Sequence, residues 1–367
     1  MPKLRVFIFG AGQRVRNNFL PALHFLQDYF KVVGITARTT ERLIPLARRW
    51  SIEAVVDVAT LDWSKIDVVI LSVSVPQNAE ILRRLAPFAS RLRLVIDTPI
   101  ANTLDELAAC KPWLSHYKSV LVTEDYMNFP MFSLIRRATT DRLIGDVKSI
   151  ALFNIGYDFH GLALIRSFSN FEPVVFSTSK KIGACAKVIT YHLRGGLRGH
   201  VIGPYRQHTT GGIVIEGTEG VISEFPSDSR FSRTSKKRFF LVKPTRENNE
   251  LDGYRIENSA GEPVYSIELT TLRAMRTMNF EDKSELNLCR GHGLVDVFQS
   301  LLSHQNVNSF YGTDNAITDS FVSRISSRVS VYFDPLVLVG GATVTWLEPL
   351  ALLKIKTKRA AHSGREA

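Results

Sequence analysis

The sequence predicts an α/β protein of two domains. An N-terminal doubly wound parallel sheet is followed by an α+β domain with a largely antiparallel open sheet. The chain begins with an apolar strand, a Gly-Ala-Gly turn and an amphipathic helical pattern between Leu4 and Leu26, an order typical of the start of a parallel sheet. Strand and helix patterns then alternate to residue 125, and from residue 146 short strands with Gly, Asn and Ser turns predominate.

The length of the chain supports this division. A chain of 367 residues is too long for one ordinary core and sufficient for two. We therefore expect a cofactor-binding Rossmann domain over residues 1–125, a substrate and oligomerisation domain over 126–345, and a basic tail over 346–367.

Composition and cysteine usage place the chain among soluble globular proteins. Hydrophobic residues make up 45% and charged residues 22% of the sequence. Cys110, Cys185 and Cys289 lie far apart and lack CxxC spacing, which predicts neither a disulfide framework nor a zinc site. This usage suits a reducing compartment, and the chain runs from Met1 almost directly into a strand without a signal-peptide pattern. A cytoplasmic location is therefore predicted.

The formal net charge of +11 is unevenly distributed. One basic segment, residues 230–246, is interleaved with phenylalanines, and another forms the tail at 354–367. Nucleic-acid binding would use the cations for phosphates and the aromatics for stacking. No nucleic-acid module pattern is present. We therefore expect a basic hairpin with core-facing phenylalanines, a solvated tail and no nucleic-acid partner.

A late apolar segment, residues 335–355, raises the question of membrane contact. A spanning helix needs about 20 apolar residues with few or no charges. This segment is interrupted by Glu348, Pro349 and the pair Gly340-Gly341. A strand and a short helix packed on the body are therefore expected, with membrane-surface docking as the minor alternative.

The glycine turn after the first strand is the first candidate cofactor site. Gly10 allows a tight turn, and Gly12 allows a diphosphate to approach the backbone where Gln13 and Arg14 begin a helix. The third glycine of the dinucleotide fingerprint is replaced by Val15. These turn residues predict a nucleotide cofactor, although the fingerprint is incomplete.

The end of the second strand bears on the choice of cofactor. NAD-specific proteins carry an Asp or Glu here for the adenine ribose hydroxyls, but the position is Ala37, followed by Arg38 and Thr39. An arginine with a neighbouring hydroxyl can pair with a 2′-phosphate, which an acid would repel. The sequence favours NADP(H) over NAD(H), unless Arg38 is simply one of many surface arginines.

Two further strand ends are predicted at the same edge of the sheet. An apolar strand at 68–73 is followed by Ser74 and Pro76, and a second at 94–96 is followed by Asp97. Runs of Val, Ile and Leu suit parallel strands covered on both faces. Because a dinucleotide lies along the carboxyl ends of such strands, Ser74, Pro76 and Asp97 are candidate cofactor contacts.

Taken in order, these motifs resemble the Gfo/Idh/MocA family of oxidoreductases over most of residues 3–330. The matching segments are 10–23, 67–82, 97–99, 122–130, 142–150, 211–224 and 314–325. The resemblance implies a two-domain enzyme that passes hydride between a nicotinamide and a sugar, cyclitol or related small molecule.

The strand-end motif departs from the family pattern. The family has Glu-Lys-Pro, whose lysine touches the substrate hydroxyl and the cofactor ribose and helps to move the proton. Asp97 and Pro99 match, but Thr98 replaces the lysine. A threonine hydroxyl donates a hydrogen bond but is far too weak an acid or base to replace an ammonium near neutral pH.

The family's second motif, Asp-x-x-x-His, is only partly present. His160 fits the histidine, whereas Gly156 stands at the aspartate position and Asp158 is displaced by two residues. His160 is the candidate proton-transfer residue, with Asp158 or Tyr157 to orient it; the alternative is a helix-start histidine satisfied by backbone groups. Tyr126 is a second candidate donor, unless it is merely packed.

A glycine-rich stretch of the second domain, residues 194–208, carries further basic side chains. It would line a cleft for an anionic or polyhydroxylated substrate, or else form a solvated hairpin. Arg166 lies off the helical face of His160 and is expected to be structural. No metal site is predicted, because the histidines lack metal-ligand spacing with carboxylates. The residues of the stretch are Arg194, Arg198, His200, Arg206 and His208.

Two functions remain open from the sequence. The first is an NADP(H)-dependent oxidoreductase with a rebuilt proton relay, acting on a sugar-like, cyclitol-like or imine substrate. The second is a non-catalytic relative that binds a cofactor or ligand, or stabilises a partner. In either case the open sheet of the second domain is the predicted surface for a homo-oligomer.

Overall fold

The computed structural model describes residues 2–182, 186–203, 211–226, 237–302 and 311–334. Several sequence predictions fall outside the described residues. These are Cys185, Arg206, His208, residues 230–236 of the basic segment, the apolar segment 335–355 and the basic tail.

The first domain contains a parallel sheet whose order is β2-β1-β3-β4-β5. Its strands are β1 (Leu4–Phe9), β2 (Phe30–Thr36), β3 (Val68–Leu71), β4 (Arg93–Asp97) and β5 (Ser119–Thr123). Their apolar runs are buried on both faces, as expected for strands covered by helices on either side. The predicted doubly wound sheet is confirmed.

Helical segments connect these strands. They comprise a π-helical segment (Val15–Phe19), α1 (Leu20–Phe25), α2 (Thr40–Trp50), α3 (Asn78–Leu85), α4 (Leu104–Leu114) and 3₁₀ turns at Val58–Thr60, Trp63–Lys65, Val75–Gln77, Ala86–Arg91 and Tyr126–Asn128. The strand order reverses between β1 and β3, and the carboxyl ends of these strands lead into Gly10 and Ser72. A ligand crevice is expected at this reversal point.

The second domain contains a mixed, mostly antiparallel sheet. Its order is β14-β13-β12-β11-β10-β6-β9-β8-β7-β15, and only the pairs β6–β9 and β11–β12 are parallel among the described residues. The strands are β6 (Val147–Phe153), β7 (Val174–Ile182), β8 (Ala186–Leu193), β9 (Arg198–Ile202), β10 (Gly212–Gly217), β11 (Gly220–Ser223), β12 (Arg238–Glu247), β13 (Glu250–Glu257), β14 (Pro263–Glu268) and β15 (Val331–Phe333). The predicted α+β domain is confirmed.

Helices cover one face of this sheet and reach back to the first domain. They are α5 (Pro130–Thr140), α6 (Asp158–Ser167), α7 (Thr270–Thr277), α8 (Glu285–Leu302) and α9 (Thr313–Ser326). α6 lies so close to β9 that a Cβ on Gly199 would come within 2.5 Å of Ile165. We call the face of the sheet that these helices cover its inner face and the opposite face its outer face.

α8 connects the two domains. The ring of Phe298 on α8 packs against Phe19 and Phe30 of the first domain, with centroids 6.1 and 5.7 Å apart. Asn18 donates a hydrogen bond of 3.0 Å to the carbonyl of Asn287. This packing places the start of α8 beside the glycine turn.

Within the described ranges, no helix combines the length and apolar character needed to cross a membrane.

Candidate functional site

The Asp97 carboxylate ties together the carboxyl ends of three neighbouring strands. Asp97 ends β4, and its Oδ1 accepts a hydrogen bond of 2.8 Å from the Thr123 hydroxyl at the end of β5. Its Oδ2 accepts one of 3.0 Å from the Ser72 hydroxyl, just beyond β3. Asp97 thus organises the edge of the sheet that faces the expected cofactor crevice.

Arg14 extends from the glycine turn to two strand-end carboxylates. Its Nη1 and Nη2 atoms each lie 2.9 Å from an oxygen of Asp125, and its Nε lies 3.3 Å from Asp97. Burial by itself lowers the pKa of Arg14, but Asp125 and Asp97 more than offset this and raise it above its ordinary value. Arg14 is therefore a fixed cation at the strand ends, unable to exchange a proton near neutral pH.

A second polar pair lies next to this cluster. The imidazole Nδ1 of His160 lies 2.7 Å from Oε1 of Glu124, a residue with no exposed surface. Burial raises the pKa of Glu124, and the nearby His160 partly offsets that rise. Glu124 thus binds the nitrogen that Asp158 or Tyr157 was expected to orient. Because Nδ1 is engaged, Nε2 is the ring nitrogen available for exchange with a ligand.

Aromatic rings surround the imidazole. The Tyr126 ring stacks on His160 at a centroid distance of 5.4 Å, and the rings of Phe159 and Tyr157 lie 4.3 and 5.7 Å away. Burial raises the pKa of Tyr126, which therefore remains a protonated phenol at physiological pH. Asp158 lies at the first position of α6, where its charge acts on Lys187.

Thr98 does not take part in these hydrogen-bond networks. Its Oγ1 is inaccessible to solvent and has no hydrogen-bond partner in the part of the chain that the structure describes. The residue at the family's lysine position therefore carries no charge, and its hydroxyl is not arranged to relay a proton.

The glycine turn is shaped for the close approach of a diphosphate. Gly10 has φ +121°, and a Cβ built there would meet the Ser72 carbonyl oxygen at 2.0 Å. Gly12 is exposed, and a Cβ there would meet no atom within 4 Å. Exposed Gln13 begins the helix directly after Gly12, so the unpaired backbone N–H groups of this helix start are accessible.

The remaining predicted cofactor residues lie at the same edge of the sheet. Arg38 and Thr39 are exposed just beyond β2, and Ser74 and Pro76 are exposed just beyond β3. The structure therefore brings together all the predicted cofactor residues at the carboxyl ends of the parallel strands. These are Gly10, Gly12, Gln13, Arg14, Arg38, Thr39, Ser74, Pro76 and Asp97.

The glycine-rich stretch of the second domain does not join this site where it is described. Arg194 and Arg198 are exposed at the turn between β8 and β9. His200 is bonded to Thr190 at 3.0 Å and points to the outer face, because Gly199 beside it faces α6. The solvated-hairpin interpretation therefore holds for these three residues.

Arg166 has a structural role. It forms a buried ion pair of 2.6 Å with Asp319 on α9 and donates to the backbone carbonyls of Phe171 and Glu172. Tyr311 donates to the other oxygen of Asp319 at 3.0 Å. This network fixes α9 against α6.

Sequence reasoning did not identify three residues of the candidate site, namely Glu124, Asp125 and Arg290, the last of which interacts electrostatically with Asp125 and Asp97. The adjacent acids after β5 were visible in the motif at 122–130, but their side chains face different partners, which spacing does not reveal. Arg290 on α8 is distant in sequence and carried no motif. Among the described residues, no group of three or more His, Cys, Asp or Glu side chains is arranged to hold a metal ion.

Comparison with protein-family models identifies the first domain. Residues 4–124 match the Gfo/Idh/MocA model, described as an oxidoreductase family with an NAD-binding Rossmann fold. The first domain is a Gfo/Idh/MocA domain. The resemblance drawn from its motifs is thereby confirmed. The carboxyl ends of the parallel strands, where the predicted cofactor residues lie, belong to this domain. A search of curated protein sequences gives no match to the chain.

Solved structures extend the likeness of the Gfo/Idh/MocA domain to the whole fold. An oxidoreductase from Thermotoga maritima aligns with a TM-score of 0.63 at 15% identity, covering 90% of this chain and 98% of its own. A myo-inositol dehydrogenase from Corynebacterium glutamicum aligns at 0.61 and 14%, covering 89% and 96%. A super-repressor mutant of Gal80p from Saccharomyces cerevisiae aligns at 0.60 and 13%, covering 90% and 98%. At these identities the likeness establishes the fold.

Proposed function

We propose that this protein is an NADP(H)-dependent oxidoreductase that transfers hydride to or from a small polar substrate. The observation that carries this proposal is the buried Glu124–His160 pair of 2.7 Å beside the strand ends of a nucleotide-binding domain. A buried carboxylate that orients an imidazole is the arrangement that general acid–base catalysis requires.

The residues of the glycine turn fit a nicotinamide dinucleotide. The open space above Gly12 and the helix start at Gln13 would accept the diphosphate. Exposed Arg38 and Thr39 would bind the 2′-phosphate of NADP(H). When bound, the nicotinamide supplies or accepts the hydride.

The proton that accompanies hydride transfer is assigned to His160. Nε2 would give the proton to, or take it from, the reacting heteroatom, while Glu124 holds Nδ1 and stabilises the imidazolium. Arg14 contributes a fixed positive charge to the strand ends but no proton. Thr98 supplies neither charge nor proton.

The proposed substrates are sugar-like, cyclitol-like or imine compounds. The similarity to a structure named as a myo-inositol dehydrogenase supports a polyhydroxylated substrate. An imine needs less acid assistance than a ketone, which suits a site without the family's lysine.

Cofactor titration tests the first half of the proposal. We expect the protein to bind NADPH more tightly than NADH. The substitution Arg38→Gln should weaken NADPH binding by about 10- to 100-fold, because one charge-assisted pair to the phosphate is lost, and should leave NADH binding unchanged. Arg42→Gln, at an exposed position on α2, is the matched control. Failure of the wild-type protein to bind either nucleotide would refute the oxidoreductase proposal.

Turnover variants test the second half. On a panel of sugars, inositols and imines, His160→Gln and Glu124→Gln should each reduce kcat by about 10² to 10⁴-fold, because the acid–base step is lost. NADPH binding should be retained. Thr98→Val, which removes a hydroxyl without hydrogen-bond partners, should turn over like the wild type. Equal loss in Thr98→Val would instead assign the relay to Thr98.

A non-catalytic role is the second candidate. Two features favour it. Thr98 stands at the position of the family's lysine, and the fold is similar to that of a structure named as a super-repressor mutant of Gal80p. On this reading the protein binds NADPH as a signal or stabilises a partner. NADPH binding without turnover on the whole panel, combined with turnover gained by Thr98→Lys, would establish this second role.

We further propose that a second copy of the chain covers the outer face of the ten-stranded sheet. Phe333 and Val331 on the edge strand β15 are 56% and 51% exposed, and Phe225 beside β6 is 45% exposed. Exposed apolar side chains grouped on one sheet face are typical of oligomer interfaces.

A further inference from the structure

A cavity of about 600 Å³ lies between the helix that follows the glycine turn and the start of α8. Its volume is in the range of small-molecule sites, roughly 300–1,000 Å³. Both domains contribute polar side chains to its wall. These include Gln13, Arg14 and Asn17 from the first domain and Ser284, Asn287 and Arg290 from the second.

Arg290 is a cation of this cavity that has no partner among the described residues. Arg14 is held by Asp125 and Asp97. By contrast, Arg290 makes no hydrogen bond or ion pair with any residue that the structure describes. Burial lowers the pKa of Arg290, and attraction by Asp125 and Asp97 offsets this only in part.

The nearby carboxylates are already satisfied by other donors. Both oxygens of Asp125 accept from Arg14, and those of Asp97 accept from Thr123, Ser72 and Arg14. Two acids line the cavity wall. Glu285 is paired with Arg246, and Asp282 accepts a hydrogen bond from the backbone N–H of Ser284. Arg290 therefore retains five guanidinium N–H groups for a ligand.

The cavity also has an unsatisfied acceptor. Asn17 lines it and is only 6% exposed, yet its Oδ1 has no hydrogen-bond partner among the described residues. A buried amide oxygen without a donor is costly. A ligand hydroxyl would satisfy it, and the amides of Gln13 and Asn287 extend the same polar wall.

We propose that this cavity binds the substrate of the oxidoreductase proposed above, and that the substrate is a small hydroxy acid whose carboxylate pairs with Arg290. A carboxylate matches the forked donors of a guanidinium. The hydroxyl groups supply donors for Asn17 and its neighbours. As substrate assignment this rests on the proposed function, but the binding of hydroxy acids can be measured independently of it.

The position of Arg290 suits this role. Tyr157, which acts electrostatically on Arg290, has its ring 5.7 Å from that of His160. Asp125, which also acts on Arg290, directly follows Glu124 in the chain. An acid group bound at Arg290 would leave the rest of a short polyhydroxy chain to extend toward Nε2 of His160.

Calorimetric titration of the full chain with three matched pairs tests the inference. The pairs are threonate with threitol, xylonate with xylitol, and gluconate with glucitol, and each polyol lacks only the carboxylate. At least one acid should bind at least about tenfold more tightly than its polyol. Arg290→Gln should weaken that binding by about 10- to 100-fold and leave NADPH binding within threefold of wild type, whereas Arg290→Lys should retain part of it. Arg273→Gln, which removes an exposed arginine paired with Asp252, is the matched control.

The outcomes separate this inference from the proposed function. Acid binding that depends on Arg290, in a protein that does not bind NADPH, would keep the hydroxy-acid site and refute the oxidoreductase. Equal binding of acid and polyol, no binding in the whole series, or unchanged acid binding in Arg290→Gln would overturn the inference. Loss of NADPH binding in Arg290→Gln without acid binding would assign the cavity to the cofactor. Far-ultraviolet circular dichroism confirms that each variant is folded.

Discussion

Polar residues at the strand ends divide roles that a single lysine can combine. Arg14 carries a permanent charge between Asp97 and Asp125, whereas the Glu124–His160 pair is the proposed proton-transfer group. A guanidinium holds its proton throughout the physiological range, whereas an imidazole exchanges it. Under the proposed function, charge and proton transfer would therefore be located on separate side chains.

The two glycines of the turn differ in whether the surrounding structure leaves room for a side chain. Gly10 has φ +121°, and a Cβ there would lie 2.0 Å from the Ser72 carbonyl oxygen. We expect Gly10→Ala to lower the free energy of unfolding by about 2 to 4 kcal/mol, through backbone strain and steric overlap. Chemical denaturation measures this change.

Gly12→Ala is the matched control for that prediction. Because a Cβ at Gly12 meets no atom within 4 Å, the free energy of unfolding should change by less than about 0.5 kcal/mol. NADPH affinity should nevertheless fall about tenfold or more, since the methyl group occupies the space for the diphosphate. Unchanged NADPH affinity in Gly12→Ala would place the diphosphate elsewhere.

At the level of single residues the sequence indicated where the candidate site residues lie in the fold, but not which side chains form hydrogen bonds with one another. Gly10 and Asp97, predicted from turn chemistry and strand ends, lie at the carboxyl edge of the parallel sheet, and His160, predicted from the family motif, lies beside Glu124 just beyond β5. The partner of His160 depends on how α6 packs against the end of β5, which sequence spacing does not encode. For this reason Glu124 was missed, and orientation was assigned to Asp158 or Tyr157, which lie nearer in the chain.

Among the helices, α8 carries a buried histidine with a consequence for stability. Burial lowers the pKa of His292 to about 4, and its Nδ1 has no hydrogen-bond partner among the described residues. In the unfolded chain its pKa is about 6.5. As pH falls from about 6.5 to 4, the unfolded chain therefore binds a proton that the folded protein does not, and stability falls.

The substitution His292→Gln should remove this dependence. Between pH 7.5 and 4.5 the wild type should lose about 2 kcal/mol relative to His292→Gln. The difference between the two proteins is the relevant quantity, because Asp296 on the same helix acts in the opposite direction. Burial raises the pKa of Asp296 to about 6, so its contribution falls as pH rises from about 4 to 6.

Urea denaturation at a series of pH values measures this effect. His116→Gln is the control, because it replaces an exposed histidine just beyond α4. A His292→Gln curve parallel to that of the wild type would show that folding leaves the pKa of His292 unchanged.

Element boundaries were predicted well where the hydrophobic period was clear. The amphipathic pattern after the glycine turn predicted the first helix, and its apolar positions are all buried, namely Phe19, Leu20, Leu23 and Leu26. Its beginning is π-helical from Val15, which occupies the position of the missing third glycine; a Cβ built on Gly10 would lie 3.6 Å from its side chain. A helical hydrophobic pattern does not distinguish an α turn from a π turn, so this detail could not be predicted.

For the whole molecule, the outer face of the ten-stranded sheet predicts self-association. Phe333→Asp, at a 56% exposed position on an edge strand, should convert an oligomer into a monomer because it places a charge within an apolar interface. Light scattering coupled to size-exclusion chromatography reports the mass directly.

Ile44→Asp is the matched control for this experiment. Ile44 is 47% exposed on α2 of the first domain, away from the sheet, so its variant should retain the wild-type mass. A wild-type protein that is monomeric at all concentrations would contradict the interface, as would an unchanged mass for Phe333→Asp.

The architecture of the whole molecule was largely predictable. Alternating strand and helix patterns determine the parallel sheet, and turn-rich short strands indicate the second sheet. The return of α8 to the first domain was not predictable, because contacts such as that between Asn18 and Asn287 span most of the chain. The cavity beside Arg290 therefore could not be inferred from the sequence.

The return of α8 also determines when the first domain can complete its folding. Phe19 and Phe30 remain uncovered until Phe298 has been synthesised, because the residues that seal this surface come almost at the end of the described chain. Contacts of such long sequence separation form late and slow folding. During synthesis the apolar surface around Phe19 and Phe30 is thus exposed, and exposed apolar surface on a partly folded chain favours aggregation.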